Sequence, residues 1–279
     1  MKTSNKLLIA FAATLIVLPV LVMAVVSKMY YTDAKNWVDL EKQNETFDGK
    51  SEHMEAIALN QFNAINIADG KEVDFYIHLV KDKKFGVKVA KTEKDFVKFS
   101  VDKDGQLQIN LTKKTEEYRY IELFVYAPET KNLSANNVSD IELSAKGDSL
   151  SVNLMKFVNL KFNETFIFQK LSISAEGGYI NIEENATVKS LRLNLKSARF
   201  KSSRISYEEL DINSTGNSGV DIYGDNGTEK KYNIKNLTLR TADSADVTFK
   251  AIGIEKAKGS LSDQTTVQLP VNTLKQILK

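Results

Sequence analysis

Asn132-Leu-Ser-Ala135, Ser149-Leu-Ser-Val152, Lys170-Leu-Ser-Ile173, Ser190-Leu-Arg-Leu193, Glu209-Leu-Asp-Ile212 and Asn236-Leu-Thr-Leu239 carry one pattern six times, and that repetition decides the fold. The leucines Leu133, Leu150, Leu171, Leu191, Leu210 and Leu237 follow at 17, 21, 20, 19 and 27 residues. A second short alternation begins seven to ten residues after each: Ile141-Glu-Leu143, Val158-Asn-Leu160, Ile180-Asn-Ile182, Ala198-Arg-Phe200, Val220-Asp-Ile222 and Val247-Thr-Phe249. Two short strands per repeat at a period near 20 mark a solenoid of stacked coils. Side chains alternate across a strand, so Leu171, Ile173, Ile180 and Ile182 are expected inside, with Ser172, Ser174, Asn181 and Glu183 outside. The next coil repeats this with Leu191, Leu193, Leu195 and Phe200 inside. Each buried Leu or Ile contributes about 1.5–3 kcal/mol, but only once a neighbouring coil covers it.

Turn signals separate the strands at Glu176-Gly177-Gly178, Gly216-Asn217 and Asp225-Asn226-Gly227. The long interval before Leu237 fits an insertion over roughly 224–233. Working outward, 55–129 is strand-rich but not regularly repeated. Alternation occurs at Phe62–Ile67, Val73–Leu79, Gly86–Ala90, Phe96–Val101, Leu107–Leu111 and Ile121–Tyr126. Asp69-Gly70 and Lys103-Asp104-Gly105 read as hairpin turns. A solenoid's open ends need covering; 55–129 is expected over one end. Residues 268–279, with a short amphipathic helix at 273–278, are expected over the other.

The chain begins differently. Leu7–Val26 is LLIAFAATLIVLPVLVMAVV, 20 residues without a charge, preceded by Lys2 and Lys6. At ~1.5 Å per residue it matches the hydrocarbon thickness of a bilayer. Lysines in front would keep the N-terminus cytoplasmic and send the remainder across. A cleaved signal peptide ending near Val22-Met-Ala24 is the rival, but the apolar run is longer than the usual signal core of about 7–15 residues. The expected organisation is a transmembrane anchor (1–28), a juxtamembrane linker (29–54), an N-terminal β-rich half (55–130) and the solenoid repeats with a C-terminal cap (131–279). Tyr30 and Tyr31 suit a membrane interface; Trp37 suits either that interface or packing on the domain.

Composition narrows the chemistry. With 279 residues, 42% hydrophobic and 27% charged, the chain can form a sizeable core. Its net charge of +2 gives no argument for a nucleic-acid partner. The absence of cysteine excludes disulfides, thiolate metal sites and a Cys nucleophile. His53 and His78 are the only histidines, too few for a histidine metal site or triad.

The chain resembles the auto-transporter adhesin head GIN domain family of bacterial envelope proteins. Phe62-Asn-Ala-Ile-Asn-Ile67 with Asp69-Gly70 and Val73, Asp104-Gly105-Gln-Leu107-Gln-Ile109, Val125-Tyr-Ala-Pro128, and Leu133 with Ser139-Asp-Ile-Glu-Leu143 carry the resemblance, which covers about 55–269. It implies an all-β right-handed parallel β-helix outside the cytoplasm, in the periplasm or on the cell surface, with no family catalytic residues. Many relatives are lipid-anchored through a Cys, so here attachment would rest on Leu7–Val26.

Candidate chemistry is sparse. Lys189, Arg192, Lys196, Arg199, Lys201 and Arg204 form a basic run. Stacking is expected to set Arg192 beside Asp211, Arg199 beside Asp221 and Lys201 beside Glu183, neutralising the run. Asp221-Ile-Tyr-Gly-Asp225-Asn226-Gly-Thr-Glu229 is rich in oxygen ligands but lacks the spacing of a Ca²⁺ loop. Outward Asp140, Glu142, Glu183, Asp221 and Asp246 are the carboxylates available for glycoside hydrolysis, with Asp221 and Asp246 the nearest pair and Tyr223 a possible sugar platform. Nine Asn-x-Ser/Thr sequons, Asn110 and Asn213 among them, fit chance in so Asn-rich a chain. No catalytic, cofactor or metal residue is assigned. The expected function is a non-catalytic, membrane-anchored adhesion or envelope-interaction module. A polysaccharide-binding or -cleaving β-helix and an envelope-sensing partner of another membrane protein are the alternatives. A β-sandwich pair is the competing fold.

Overall fold

The computed structural model describes residues 3–30, 44–112, 120–163, 165–184, 186–225 and 231–279. The chain forms two units, Met1–Glu45 and Thr46–Lys279. In the first, helix α1 (Thr3–Tyr30) takes in the whole apolar run. Among the described residues, no helix is long and apolar enough to cross a membrane. The helix expected over Leu7–Val26 is therefore present, whereas its spanning of a membrane is not shown. The Tyr30 side chain and all of Tyr31 and Trp37 lie outside the described residues.

In the second unit, parallel strands curl into a solenoid-like sheet, and the described strands join one sheet rather than two packed antiparallel layers. Strands β9 (Ile167–Glu176), β11 (Thr187–Lys196), β13 (Tyr207–Thr215), β15 (Asn233–Thr241) and β17 (Gly253–Ser260) pair in parallel along one face. Strands β10 (Tyr179–Ile182), β12 (Arg199–Ser203), β14 (Ser218–Tyr223), β16 (Ala245–Lys250) and β18 (Thr266–Gln268) do so along the other. The long β8 (Asn132–Phe162) feeds both, pairing with β9 through Lys146–Met155 and with β10 through Asn159–Lys161.

The register places like residues on like. Leu150, Leu171, Leu191, Leu210 and Leu237 are successive partners, each 2% exposed or less. Opposite them runs a second column: Leu160, Ile180, Phe200, Val220, Val247 and Val267. Side-chain period and coil period thus agree, and the core is a continuous dry stack.

One corner recurs. Lys156, Gly177, Ser197, Gly216 and Asp243 follow β8's outer segment, β9, β11, β13 and β15, and all have positive φ, between 50° and 78°. A left-handed residue reverses the direction of the chain and shifts the in–out phase of the next strand. Two expectations are corrected here, at Val158 and Leu133. Val158 is 52% exposed and Leu160 takes the interior place, because the corner at Lys156 turns Phe157 inward first. Ala198 and Phe200 are both buried with Arg199 exposed between them, as the Ala198-Arg-Phe200 alternation expects, although β12 itself begins at Arg199. Leu133, grouped in sequence with Leu150, stands opposite Ile65.

The strands before the repeats are arranged in another order. β2 (Ala64–Ile67) lies parallel between β6 (Gln106–Leu111) and β8, and β3 (Asp74–Lys81) lies parallel between β7 (Tyr120–Ala127) and β8. The later coil therefore sits outside the earlier one, and the chain crosses back to start β8. β1 (Met54–Ala58), β4 (Gly86–Ala90) and β5 (Val97–Val101) add antiparallel partners at this end. Lys103-Asp104-Gly105 makes the expected hairpin between β5 and β6, with the Asp102 carboxylate accepting from the N–H groups of Asp104 and Gln106. Asp69-Gly70 makes a coil corner instead. β2 and β3 do not pair with each other but with successive segments of β8, and Gly70 is buried where a Cβ would clash with Val138 Cγ1.

At the other end helix α2 (Val271–Ile277) buries Thr273 and Ile277. Gln276 Oε1 accepts the Ala257 N–H at 2.7 Å, occupying a donor on the outermost strand β17. An edge strand is thereby partly closed, which limits unwanted pairing.

Candidate functional site

Outward side chains of the β9–β17 face form polar ladders. Asn194 donates to Ser174 Oγ, Asn213 donates to Asn194 Oδ1, and Arg240 donates to both Asn213 Oδ1 and Asp211 Oδ1. Asp211 is held between two guanidinium groups, Arg240 at 2.8 Å and Arg192 at 3.5 Å.

Beside these ladders the face is hollowed into a trough. Ser149 and Ser151 of β8, Ser172 of β9 and Ser190 of β11 are short, so the sheet is uncovered between the long chains of Lys131, Lys170 and Arg192. This hollow has a volume of about 480 Å³. A second hollow of about 390 Å³ shares Lys170, Ser190 and Glu209 and continues past Lys189 and Lys235 to Asn236. Together they follow the stacking direction across five strands, about 19 Å at ~4.8 Å per rung. Lys131 is paired with Glu129 at 3.3 Å and Lys235 lies 3.9 Å from Glu208. Among the described residues, Lys170 and Lys189 have no carboxylate partner.

The basic run is only partly neutralised. Arg192–Asp211 forms as expected, and Lys196–Glu176 (3.1 Å) and Arg204–Glu184 (2.9 Å) are further pairs. Arg199 does not meet Asp221: it stands between Tyr179 and Gly219. Nor does Lys201 meet Glu183; its neighbours are Asn181 and Asp221. Phe200, not Ala198, stands opposite Val220 and Ile180, two positions from the alignment those pairs assume.

The β10–β18 face carries the carboxylates. Asp140 is committed to Asn159 (2.6 Å) and Lys161 (2.9 Å). Asp221 accepts from the Tyr223 hydroxyl at 3.2 Å, and Asp246 stands opposite Gly219, diagonal to it. Burial, and then the Asp221 charge, push the Tyr223 hydroxyl above its ordinary range. Glu183 accepts from Asn181. Tyr76 packs edge-on to Tyr120 at 5.5 Å, and its hydroxyl is pushed up by burial and by Glu142 beside it. His78 lies flat on Phe124 and bonds Glu122 at 3.2 Å, while His53 is exposed just before β1. Among the described residues, no group of three or more His, Asp or Glu could hold a metal ion. Of the oxygen-rich 221–229 stretch, 226–229 lie outside the described residues.

A polar site that strand alternation hides lies at the other end. Val87 and Val89 face the main core, which would put Lys88 in water, yet Lys88 is 1% exposed. Its ammonium donates to the carbonyls of Thr46 (2.9 Å) and Gly49 (2.8 Å) and sits 5.2 Å from the Tyr126 ring centroid. Phe47 seals it from above, edge-on to Tyr126, with its N–H donating to Asp82 at 2.8 Å. Burial holds the Lys88 ammonium below its usual range, opposed by Asp48 and Asp82. Gly86, where a Cβ would meet the Phe47 ring at 2.2 Å, is the sequence signal that something packs on this side.

The described strands build a solenoid-like sheet with laddered polar faces. Residues 61–229, more than half of the chain, match the family described as "Putative auto-transporter adhesin, head GIN domain", and the chain belongs to that family. Among solved structures it is similar to a "putative adhesin" from Bacteroides fragilis NCTC 9343, 16% identical, over 78% of this chain and 96% of that one, with a TM-score of 0.46. A "putative lipid binding protein" from Parabacteroides distasonis ATCC 8503 is 14% identical over 80% of this chain and 95% of its own, with a TM-score of 0.44. A "putative adhesin" from Parabacteroides merdae ATCC 43184 is 18% identical over 80% and 94%, with a TM-score of 0.33. No curated protein matches the chain. An adhesin-type family suggests an extracytoplasmic or surface protein and a non-enzymatic one.

Proposed function

We propose that this protein is a membrane-anchored, non-catalytic adhesion or envelope-interaction module whose body lies outside the cytoplasm. Residues 7–26 are the anchor, 29–54 the linker, 55–130 the leading half of the GIN domain and 131–279 the repeats with their cap. The coils wind right-handed, as crossovers between parallel strands almost always do. The observation that carries this reading is the ladder Ser174–Asn194–Asn213–Arg240, a rigid array of exposed donors and acceptors on the β9–β17 face. Fixed polar rows repeating at the strand spacing suit an extended ligand, protein or glycan, better than a reaction centre or nucleic acid.

Protease treatment of intact and lysed cells, with alkaline extraction of membranes, tests topology and anchoring. The full chain resists extraction and its body is digested without lysis of the inner membrane; a carbonate-soluble or internally protected body overturns the reading. Binding of expressing cells to host or sister-cell surfaces tests adhesion. If pull-down from native membranes instead returns one stoichiometric membrane protein and cells do not adhere, the envelope-sensing alternative replaces it.

A further inference from the structure

We propose that the trough along Lys131, Lys170 and Arg192 binds a linear, negatively charged polysaccharide; this rests on the adhesion reading and supplies its ligand class. Three features of the trough converge on that chemistry. The first is its shape: it is open, continuous over five strands and aligned with the coil stack, so it accepts a chain rather than a compact molecule. A pyranose residue advances a linear glycan by about one strand spacing, so rungs ~4.8 Å apart present equivalent groups to successive sugars.

The second is the floor, whose serines can each donate and accept a hydrogen bond. Such hydroxyls suit sugar hydroxyls. Among the residues lining the two hollows, no aromatic ring offers the stacking platform that single-stranded nucleic acid uses. The third is charge. Five bases stand against Glu208, Glu209 and the Glu129 and Asp211 that pair with Lys131 and Arg192, which leaves the trough with a small positive excess centred on Lys170 and Lys189. Lys170, in the middle and shared by both hollows, is without a carboxylate partner among the described residues. An anionic sugar at this rung supplies a counter-charge, and the neighbouring Arg192 can take a second carboxylate in bidentate fashion.

The decisive measurement is binding of the full-length protein, in nanodiscs of zwitterionic lipid, to polygalacturonate, to its fully methyl-esterified form and to poly-glutamate. Polygalacturonate binds, more weakly as salt rises, and the uncharged ester binds at least about tenfold less tightly. The Lys170→Gln/Arg192→Gln double variant loses about ten- to hundredfold in affinity. Lys201→Gln, on the opposite face, keeps wild-type binding. Both trough side chains are exposed and Asp211 keeps Arg240, so the double variant folds, as an unchanged melting temperature verifies. Equal binding of the ester, or full affinity in the double variant, overturns the proposal. So does poly-glutamate binding as tightly as the glycan, which makes the ligand an acidic peptide. Loss of all glycan binding in a protein whose cells still adhere sinks the ligand class alone; glycan binding by cells that never adhere sinks the adhesion reading instead.

Discussion

The two halves of the β-domain reach the same cross-section by different routes. From Leu150 onward each coil lies on the one made just before it, and contacts join residues about 20 apart, as Lys196 with Glu176. From Ala64 to Ala127 the later coil lies outside the earlier one, and β3 must also receive β8. Asn136 and Asn137 consequently bond Ala68 and Asp69 across 68 positions of sequence. Longer loops must close before those contacts form, which slows assembly more than it lowers final stability. The repeats can form coil by coil; the leading half forms together or not at all.

Phe75 gives the largest expected break in that contrast. Its partners are Ile121 on one side and Ile141 on the other, and it is fully buried. Phe75→Ala should cost about 3–5 kcal/mol and lower a single transition for the leading half, followed by urea unfolding. Leu191→Ala, mid-column, should cost about 2–5 kcal/mol but broaden the transition, because flanking coils keep their own interfaces. Equal cooperativity in the two variants would remove the distinction.

Next in size is Gly86→Ala. The added methyl needs the space of the Phe47 ring, so overpacking of about 1–3 kcal/mol should expel the 46–49 strap from Lys88 and Tyr126. Hydrogen exchange should rise at 46–49 while the repeats keep their protection. Gly177, also a glycine but with open space around its Cβ position, is held by its φ of 78° alone. Gly177→Ala should cost about 1 kcal/mol, without local release.

Acidification should act on the same strap. Burial raises the Asp82 carboxyl, but the N–H groups of Phe47, Lys84 and Lys83 outweigh it and hold the group below its ordinary value. A depressed carboxyl contributes above the unfolded-state value, and that contribution is lost as pH falls through the folded one. Exchange at Phe47 should therefore accelerate below the usual carboxylate range before the repeats unfold. Smallest of all, Asp211→Asn on the exposed ladder should change stability by under ~1 kcal/mol, measured by thermal melts. A larger loss would mean that the ladders hold the coils together rather than decorate them.

The same contrast explains how much was legible in the sequence. Leu171, Leu191 and Leu210 could be placed in one column because strand period and coil period are both local. The partners of Arg199 and Lys201 could not, since Ala198 and Phe200 are both buried and only stacking selects Phe200 as the partner of Ile180 and Val220. The trough escaped for a related reason: four serines on three strands become one surface only after stacking. Lys88 looked like an outward residue because alternation knows two faces but not whether both are covered.

Sequence by itself determined the period, the hydrophobic columns, the apolar N-terminal helix and the absence of cysteine chemistry, since each depends on neighbours within about one coil. Only the tertiary structure decided that the coil at 106–127 lies outside that at 64–81, that Lys88 is enclosed and that Lys170 faces a trough with no carboxylate partner among the described residues. Those outcomes depend on which distant strand arrives alongside, and that is settled by the free energy of the whole stack rather than by any segment of it.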